Sequence, residues 1–231
     1  MSRVALVVGV GPLLGAAIAR RFARAGFRLA LVARSPDFIG QLARELSSLG
    51  EPALALAADA GQPAELVAAI ARARVELGPT NAGAQREFVF RRWIARNQRD
   101  AVRGNMAHRG PGRFRLRAGN RARLIAAGAG AIIFTGATSS VRGGGWLAFS
   151  SAKFALRGLA QSLARELWPQ GIHVAHVVVD GLIGPNESKE TLEPMLAPDR
   201  MADAYFQLTE QDRSAWTLEL DLRPHRERFF E

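Results

Sequence analysis

Short apolar runs alternate with longer stretches in which apolar residues return every three or four positions, and this rhythm holds across the first 77 residues. Val4–Val8 is an unbroken apolar run, the pattern of a strand buried on both faces of a parallel sheet. In Gly15–Ala25, Ile18, Phe22 and Ala25 fall on one face of a helix. The same alternation predicts strands at Arg28–Ala33 and Ala53–Ala57, and helices over Asp37–Leu49 and Pro63–Leu77. After residue 124 it resumes with a strand at Ala131–Thr135, a helix over Ser151–Trp168 and a strand at His173–Val179. Strands regularly separated by helices predict an α/β fold, a doubly wound parallel sheet covered on both faces in three αβα layers. Ligands of such sheets bind at the carboxyl ends of the strands, where the strand order reverses.

Residues 78–124 show neither alternation nor a clean apolar stripe. Charge singles out the same region. Residues 86–123 carry twelve arginines against Glu87 and Asp100, a local balance of +10, equal to that of the whole chain. The pI of about 11.4 is therefore the property of one segment. Of the 31 basic residues only Lys153 and Lys189 are lysine. The 231 residues, 48% apolar, suit a single domain spanning 1–231, with 84–123 as an anomalous arginine-rich insert in it. No run reaches the ~18–20 apolar residues of a membrane helix. The chain enters an apolar strand at Val4 without a basic leader, and the expected location is cytoplasmic. With no cysteine, disulfide and thiolate chemistry are excluded.

The first strand passes into the first helix through Gly9-Val10-Gly11-Pro12-Leu13-Leu14-Gly15. Glycines in a strand–turn–helix junction allow a tight turn and let backbone N–H groups approach a pyrophosphate, whose charge the helix N-terminus favours. Gly9, Gly11 and Gly15 are the candidate cofactor contacts; a plain tight turn is the other reading. Arg34 follows the second strand, where an acidic residue would bind the ribose hydroxyls of NAD. A guanidinium matches a 2′-phosphate instead, so the expected cofactor is NADP, with NAD the alternative. An arginine at a strand end is also often simply solvated.

Phe149-Ser150-Ser151-Ala152-Lys153, with Gly171–Gly181 beyond it, resembles the helix, loop and strand that carry the Tyr-x-x-x-Lys pair of the short-chain dehydrogenases/reductases. The chain resembles a bacterial branch with phenylalanine at the tyrosine position, and Arg213–Pro224 resembles that branch as well. The resemblance covers 1–77 and 124–231 and is strongest from Ala131 to Asp180. It implies a Rossmann-type fold and NAD(P)(H)-dependent oxidoreduction of an unidentified carbonyl or alcohol. By the same resemblance Lys153 holds the nicotinamide ribose and Ser139 the substrate oxygen, with Ser140 beside it as the other hydroxyl. Asp59 lies beside the adenine, where a helix N-cap is the competing reading, and Asn81 and Gly83 belong to the cofactor-binding Asn-Ala-Gly. A homo-oligomer formed through the lysine helix is implied too.

The chain departs from the pattern where it matters chemically. Phe149 has no ionisable proton, which closes the usual relay. His108, His173 and His176 are candidate surrogates, although the last two lie in or beside a strand and read as structural. Asn105 matches the family asparagine in spacing alone. Val8 and Leu13 replace the threonine and middle glycine of the glycine loop, Pro12 lacks an N–H, and Asp180-Gly181 replaces the usual Pro-Gly. A cofactor-binding but inactive homologue is therefore the alternative function.

The family also requires a fourth strand before Asn-Ala-Gly. Only Gly78-Pro79-Thr80 is available there, and three residues with a proline do not make a central strand, so this strand and the helices after it are expected to be disrupted. The arginine segment has two readings. With Phe88, Phe90, Trp93 and Phe114 among its arginines it has the composition of a nucleic-acid-binding insert. The favoured reading is a shifted reading frame: the arginine excess suggests a GC-rich gene, and dropping one base after Ala84 from a plausible back-translation restores a family-like loop and amphipathic helix.

Overall fold

The computed structural model describes residues 3–77, 87–92 (as backbone), 128–144, 146–184 and 195–226. Strands β1 (Arg3–Val8), β2 (Phe27–Ala33) and β3 (Ala53–Ala57) alternate with helices α1 (Leu14–Arg24), α2 (Pro36–Ser47) and α3 (Pro63–Glu76). They are followed by β4 (Glu87–Arg92), β5 (Gly130–Thr135), helix α4 (Leu147–Leu167), β6 (Ile172–Val179), helix α5 (Pro198–Glu210) and β9 (Glu219–Leu222). Two short strands, β7 (Leu182–Ile183) and β8 (Met195–Leu196), pair with each other outside the main sheet. The seven-stranded sheet runs β3-β2-β1-β4-β5-β6-β9 and every neighbour is parallel. This is the predicted doubly wound, Rossmann-type architecture, with the reversal between β1 and β4.

Strand alternation sends successive side chains to opposite layers. Ala5, Val7, Leu29 and Leu31 meet α1, α2 and α5 through Phe22, Leu42, Leu46, Met201 and Tyr205. Val4, Leu6, Val8, Ala30 and Val32 meet α3 through Ala69 and Ala73. On that second face Ile132, Phe134 and Val174 pack on Leu156, Ala160 and Leu167 of α4. Every residue of β5 and of β6 is buried, as two-sided cover requires.

The expectation of a disrupted fourth strand is corrected in position. The prediction sought it before Asn81, whereas the strand between β1 and β5 is Glu87–Arg92, after Asn-Ala-Gly. Phe88-Val89-Phe90 is a short β-branched and aromatic run of the kind a buried parallel strand uses, masked in the sequence by the arginines around it. The helices expected to follow it fall outside the described residues, as does most of 84–123.

The structure starts α4 at Leu147, four residues before the predicted boundary, and so takes Phe149 into its first turn. Helix α5 and β9 were not anticipated from the sequence. Helix α5 lies against α1, where Arg21 pairs with Asp203 at 2.9 Å and stacks over Phe206.

Candidate active site

The chain reverses its winding direction at the carboxyl end of β1, and the glycine turn sits there. Gly9 has φ +83°, the left-handed region that glycine enters freely. Both Gly9 N–H and Val10 N–H donate to the Val32 carbonyl, at 2.8 and 3.1 Å, which ties the turn to the end of β2. A Cβ on Gly15 would stand 2.8 Å from Val10 Cα, so only glycine lets α1 start this close to the strand. Gly11 faces open space: nothing lies within 4 Å of where its Cβ would be. Helix α1 begins at Leu14 without a side-chain cap; Ala16 N–H donates to the Gly11 carbonyl at 2.9 Å, which leaves the Leu14 and Gly15 N–H groups for a ligand or solvent. Arg34 is exposed directly after β2.

Asp59 shapes its own turn. Its Oδ1 accepts the Gly61 N–H at 2.9 Å, and its N–H donates to Glu65 Oε2 at 2.8 Å. The residue capping α3 is Gln62, so the N-cap reading of Asp59 does not hold; it forms the turn before the cap. Asn81, Gly83, Asn105 and His108 lie outside the described residues.

Lys153 is buried, and its ammonium donates to the Thr135 carbonyl at 3.0 Å, holding the end of β5. Its Nζ is 5.5 Å from the centre of the Phe149 ring, one helical turn earlier and partly exposed. The lysine and the aromatic ring thus lie one helical turn apart on α4, and this ring carries no hydroxyl. The chain's single tyrosine is elsewhere: Tyr205 is fully buried on the opposite face, 2.8 Å from Thr135 Oγ1.

A 3₁₀ turn, Thr138–Ser140, follows β5. Ser139 is half-buried in it, whereas Ser140 is fully buried and its Oγ accepts the Ala137 N–H at 3.1 Å. The hydroxyl that sequence reasoning passed over is Thr138. It donates to Asp180 Oδ1, and Asp180 is ion-paired with Arg142 at 3.3 Å and Arg223 at 3.1 Å. A hydroxyl just after one strand and an acid just after its neighbour were the available signal. They become partners because β5 and β6 run parallel in register, Thr135 opposite Val177.

The two described strand histidines act as structure. His173 stacks on Trp216 with ring centres 5.0 Å apart, and its nitrogens face the Leu208 and Thr217 carbonyls at 2.9 and 2.7 Å. His176 lies 3.1 Å from Glu219 through Nδ1, and Arg157 clamps Glu219 with two bonds of 2.7 and 2.6 Å. Burial pushes both imidazoles below the ordinary histidine value of 6.5, outweighing the carbonyls and Glu219 that pull upward. Burial raises the Glu219 carboxyl, but Arg157 and then His176 bring it below the usual carboxylate value.

Below about pH 6.5 the unfolded chain binds protons on these histidines that the folded chain refuses. Stability is thus fully present above pH 6.5 and declines as pH falls toward the lowered folded values. We expect the melting temperature to drop between pH 7 and pH 5, with a shallower drop in His176→Gln. A melting temperature flat across that interval contradicts the assignment.

Among the described residues no helix is long and apolar enough to cross a membrane, and no cluster of metal-ligating side chains occurs. Comparison with known proteins agrees with the geometry. A family model described as short chain dehydrogenase matches residues 3–193. The oxidoreductase UcpA of Escherichia coli K12 is 32% identical over 179 residues, 74% of this chain; the match spans 66% of that protein's length. A short-chain dehydrogenase from Rhodopseudomonas palustris superimposes with a TM-score of 0.70 at 31% identity, covering 97% of this chain and 99% of that one. An alcohol dehydrogenase from Thermococcus sibiricus, complexed with 5-hydroxy-NADP, has the same fold with a TM-score of 0.78 at 23% identity and 99% coverage of both chains.

Proposed function

Because this chain belongs to the short-chain dehydrogenase family, we propose that it binds NADP(H) at the carboxyl edge of β1 and β2 and acts on a carbonyl or alcohol substrate beside Lys153. The observation that carries this reading is the coupling of the glycine turn to β2. Gly9 and Val10 both hold the Val32 carbonyl, two residues before Arg34, so the pyrophosphate turn and the guanidinium belong to one rigid edge. Gly15 and the uncapped start of α1 suit a dinucleotide: the glycine permits close packing and the Leu14 and Gly15 N–H groups favour phosphate. The cofactor-bound structures of family-fold proteins, the Thermococcus enzyme with 5-hydroxy-NADP and a metagenomic oxidoreductase with NADP, support the choice of dinucleotide.

In this reading Gly9, Gly11 and Gly15 meet the pyrophosphate, Arg34 the 2′-phosphate and Lys153 the nicotinamide ribose. Ser139 faces the substrate oxygen, and Asp59, Asn81 and Gly83 border the adenine and ribose. The dinucleotide supplies hydride transfer when bound. Phe149 withholds the general acid, so the natural chain turns over slowly or serves as a cofactor-binding homologue without turnover. The exposed Leu147 and Phe154 of α4 suit a homo-oligomer formed through that helix.

Nucleic-acid binding by the arginine segment is the weaker reading, since the backbone of 87–92 is committed to the centre of the sheet. A shifted reading frame across 84–123 remains our account of that composition, to be tested by resequencing the gene across it.

A fluorescence titration with NADPH and NADH tests the cofactor. Arg34→Ala should weaken NADPH by about 10–100-fold, the worth of a charge-assisted phosphate contact, and leave NADH nearly unchanged. No binding of either dinucleotide at high micromolar concentration sinks the proposal.

A further inference from the structure

Thr138 and Asp180 come from the ends of two neighbouring strands and meet at the edge of the sheet where ligands bind. The hydrogen bond between them has a fixed direction. Asp180 has a side chain only 4% exposed, and its Oδ2 faces Arg142 Nη2 at 3.3 Å and Arg223 Nη1 at 3.1 Å. Its backbone N–H is held by the Leu222 carbonyl at 2.9 Å. A carboxylate between two guanidinium groups accepts and has no proton to give. Thr138 Oγ1 therefore donates its single proton to Oδ1. Thr138 is half-buried, and what its oxygen has left for a ligand is lone pairs.

We propose that Thr138, held as a hydrogen-bond acceptor by Asp180, makes this site select hydroxyl-bearing ligands over the matching carbonyl compounds. The inference rests on the reading of this edge as a substrate site. A ligand hydroxyl that donates to Thr138 completes a chain from ligand to threonine to carboxylate, in which each bond polarises the next and the last is charge-assisted. A ketone oxygen in the same place sets lone pair against lone pair and finds no proton, a repulsive element that discriminates more sharply than lost contact alone. The position therefore holds the alcohol in preference to its oxidised form.

Dissociation constants of 1-phenylethanol and acetophenone, two probes with one carbon frame, test this by ligand-observed NMR on the full chain, with and without saturating NADP⁺. The alcohol should bind at least about tenfold more tightly, in line with sites built around one substrate hydroxyl. In Asp180→Asn the amide can donate to Thr138 and turn the threonine proton outward, so the ratio should shrink or reverse. Thr138→Val keeps the shape and removes the hydroxyl, and should bind both probes equally; it keeps the test valid should the Asn variant misfold. Equal or tighter binding of acetophenone by the natural chain overturns the proposal. So does an alcohol preference that survives Thr138→Val, or no binding of either probe in both conditions. An NADPH titration on the same samples reports the cofactor reading separately. Protein that binds NADPH without preferring the alcohol keeps that reading and loses this one; the converse result keeps this one alone.

Discussion

Phe149→Tyr is expected to raise NADPH-dependent carbonyl reduction by about 10²–10⁴-fold, equivalent to about 3–5 kcal/mol of barrier, which is the usual worth of a positioned general acid. In the proposed reading the natural side chain stands where such an acid would act. Its ring is partly exposed at the carboxyl edge of the sheet, and the Lys153 ammonium lies 5.5 Å from the ring centre. Lys153 is itself anchored on the Thr135 carbonyl at 3.0 Å, so a phenol added to this ring would meet a fixed positive charge. That charge favours the phenolate and brings the phenol nearer the working pH. The gain is read as initial rates on a panel of ketones and aldehydes, beside an NADPH titration showing that both proteins bind cofactor. A Tyr variant that binds NADPH but is no faster than the natural chain on every substrate contradicts a dehydrogenase disabled only at this position.

Gly136→Ala should be among the more damaging single methyl additions in the described structure. Gly136 follows β5 and donates to the Val177 carbonyl at 2.7 Å. A Cβ there would lie 2.6 Å from His176 Cε1 and 2.7 Å from Ser140 Oγ, both on fully buried side chains. The imidazole cannot swing away, because Glu219 holds Nδ1 and Arg157 clamps Glu219. Overpacking of this kind costs about 1–3 kcal/mol, and the pinned neighbours put this case at the upper end. For a chain of this size, that loss lowers the melting temperature by roughly 5–12 °C. Adding His176→Ala should recover much of it by opening the space. A melting temperature unchanged in Gly136→Ala contradicts the packing described.

The sheet was legible because its strands are buried on both faces and so read as unbroken apolar runs. Val4–Val8, Ala53–Ala57 and His173–Val179 fall within one residue of the observed β1, β3 and β6. The fourth strand was hidden by composition. Phe88-Val89-Phe90 is long enough to hint at a strand, but six arginines between 86 and 103 erase the contrast on which a pattern depends. Helix α5 escaped for a different reason: its buried residues Met201, Ala202, Tyr205 and Leu208 are interleaved with Asp203 and Gln207, and they matter only because Phe22 of α1 and Phe27 of β2 offer a floor.

The site divides in the same way. The glycine turn after the first strand, the arginine after the second and the lysine one helical turn after Phe149 follow from local order along the chain, since each sits at a fixed offset from a strand or on one helical turn. The partners of the three hydroxyls after β5 do not. Thr138, Ser139 and Ser140 are consecutive in one short turn, and only the packing of β5 against β6 turns Ser140 inward and brings Thr138 to Asp180. The roles of His173 and His176 were likewise settled by burial against Trp216 and Glu219, partners more than forty residues away. Backbone periodicity and turn chemistry are local and are written in sequence. The direction of a hydrogen bond and the charge state of a buried ring depend on groups that only folding brings together.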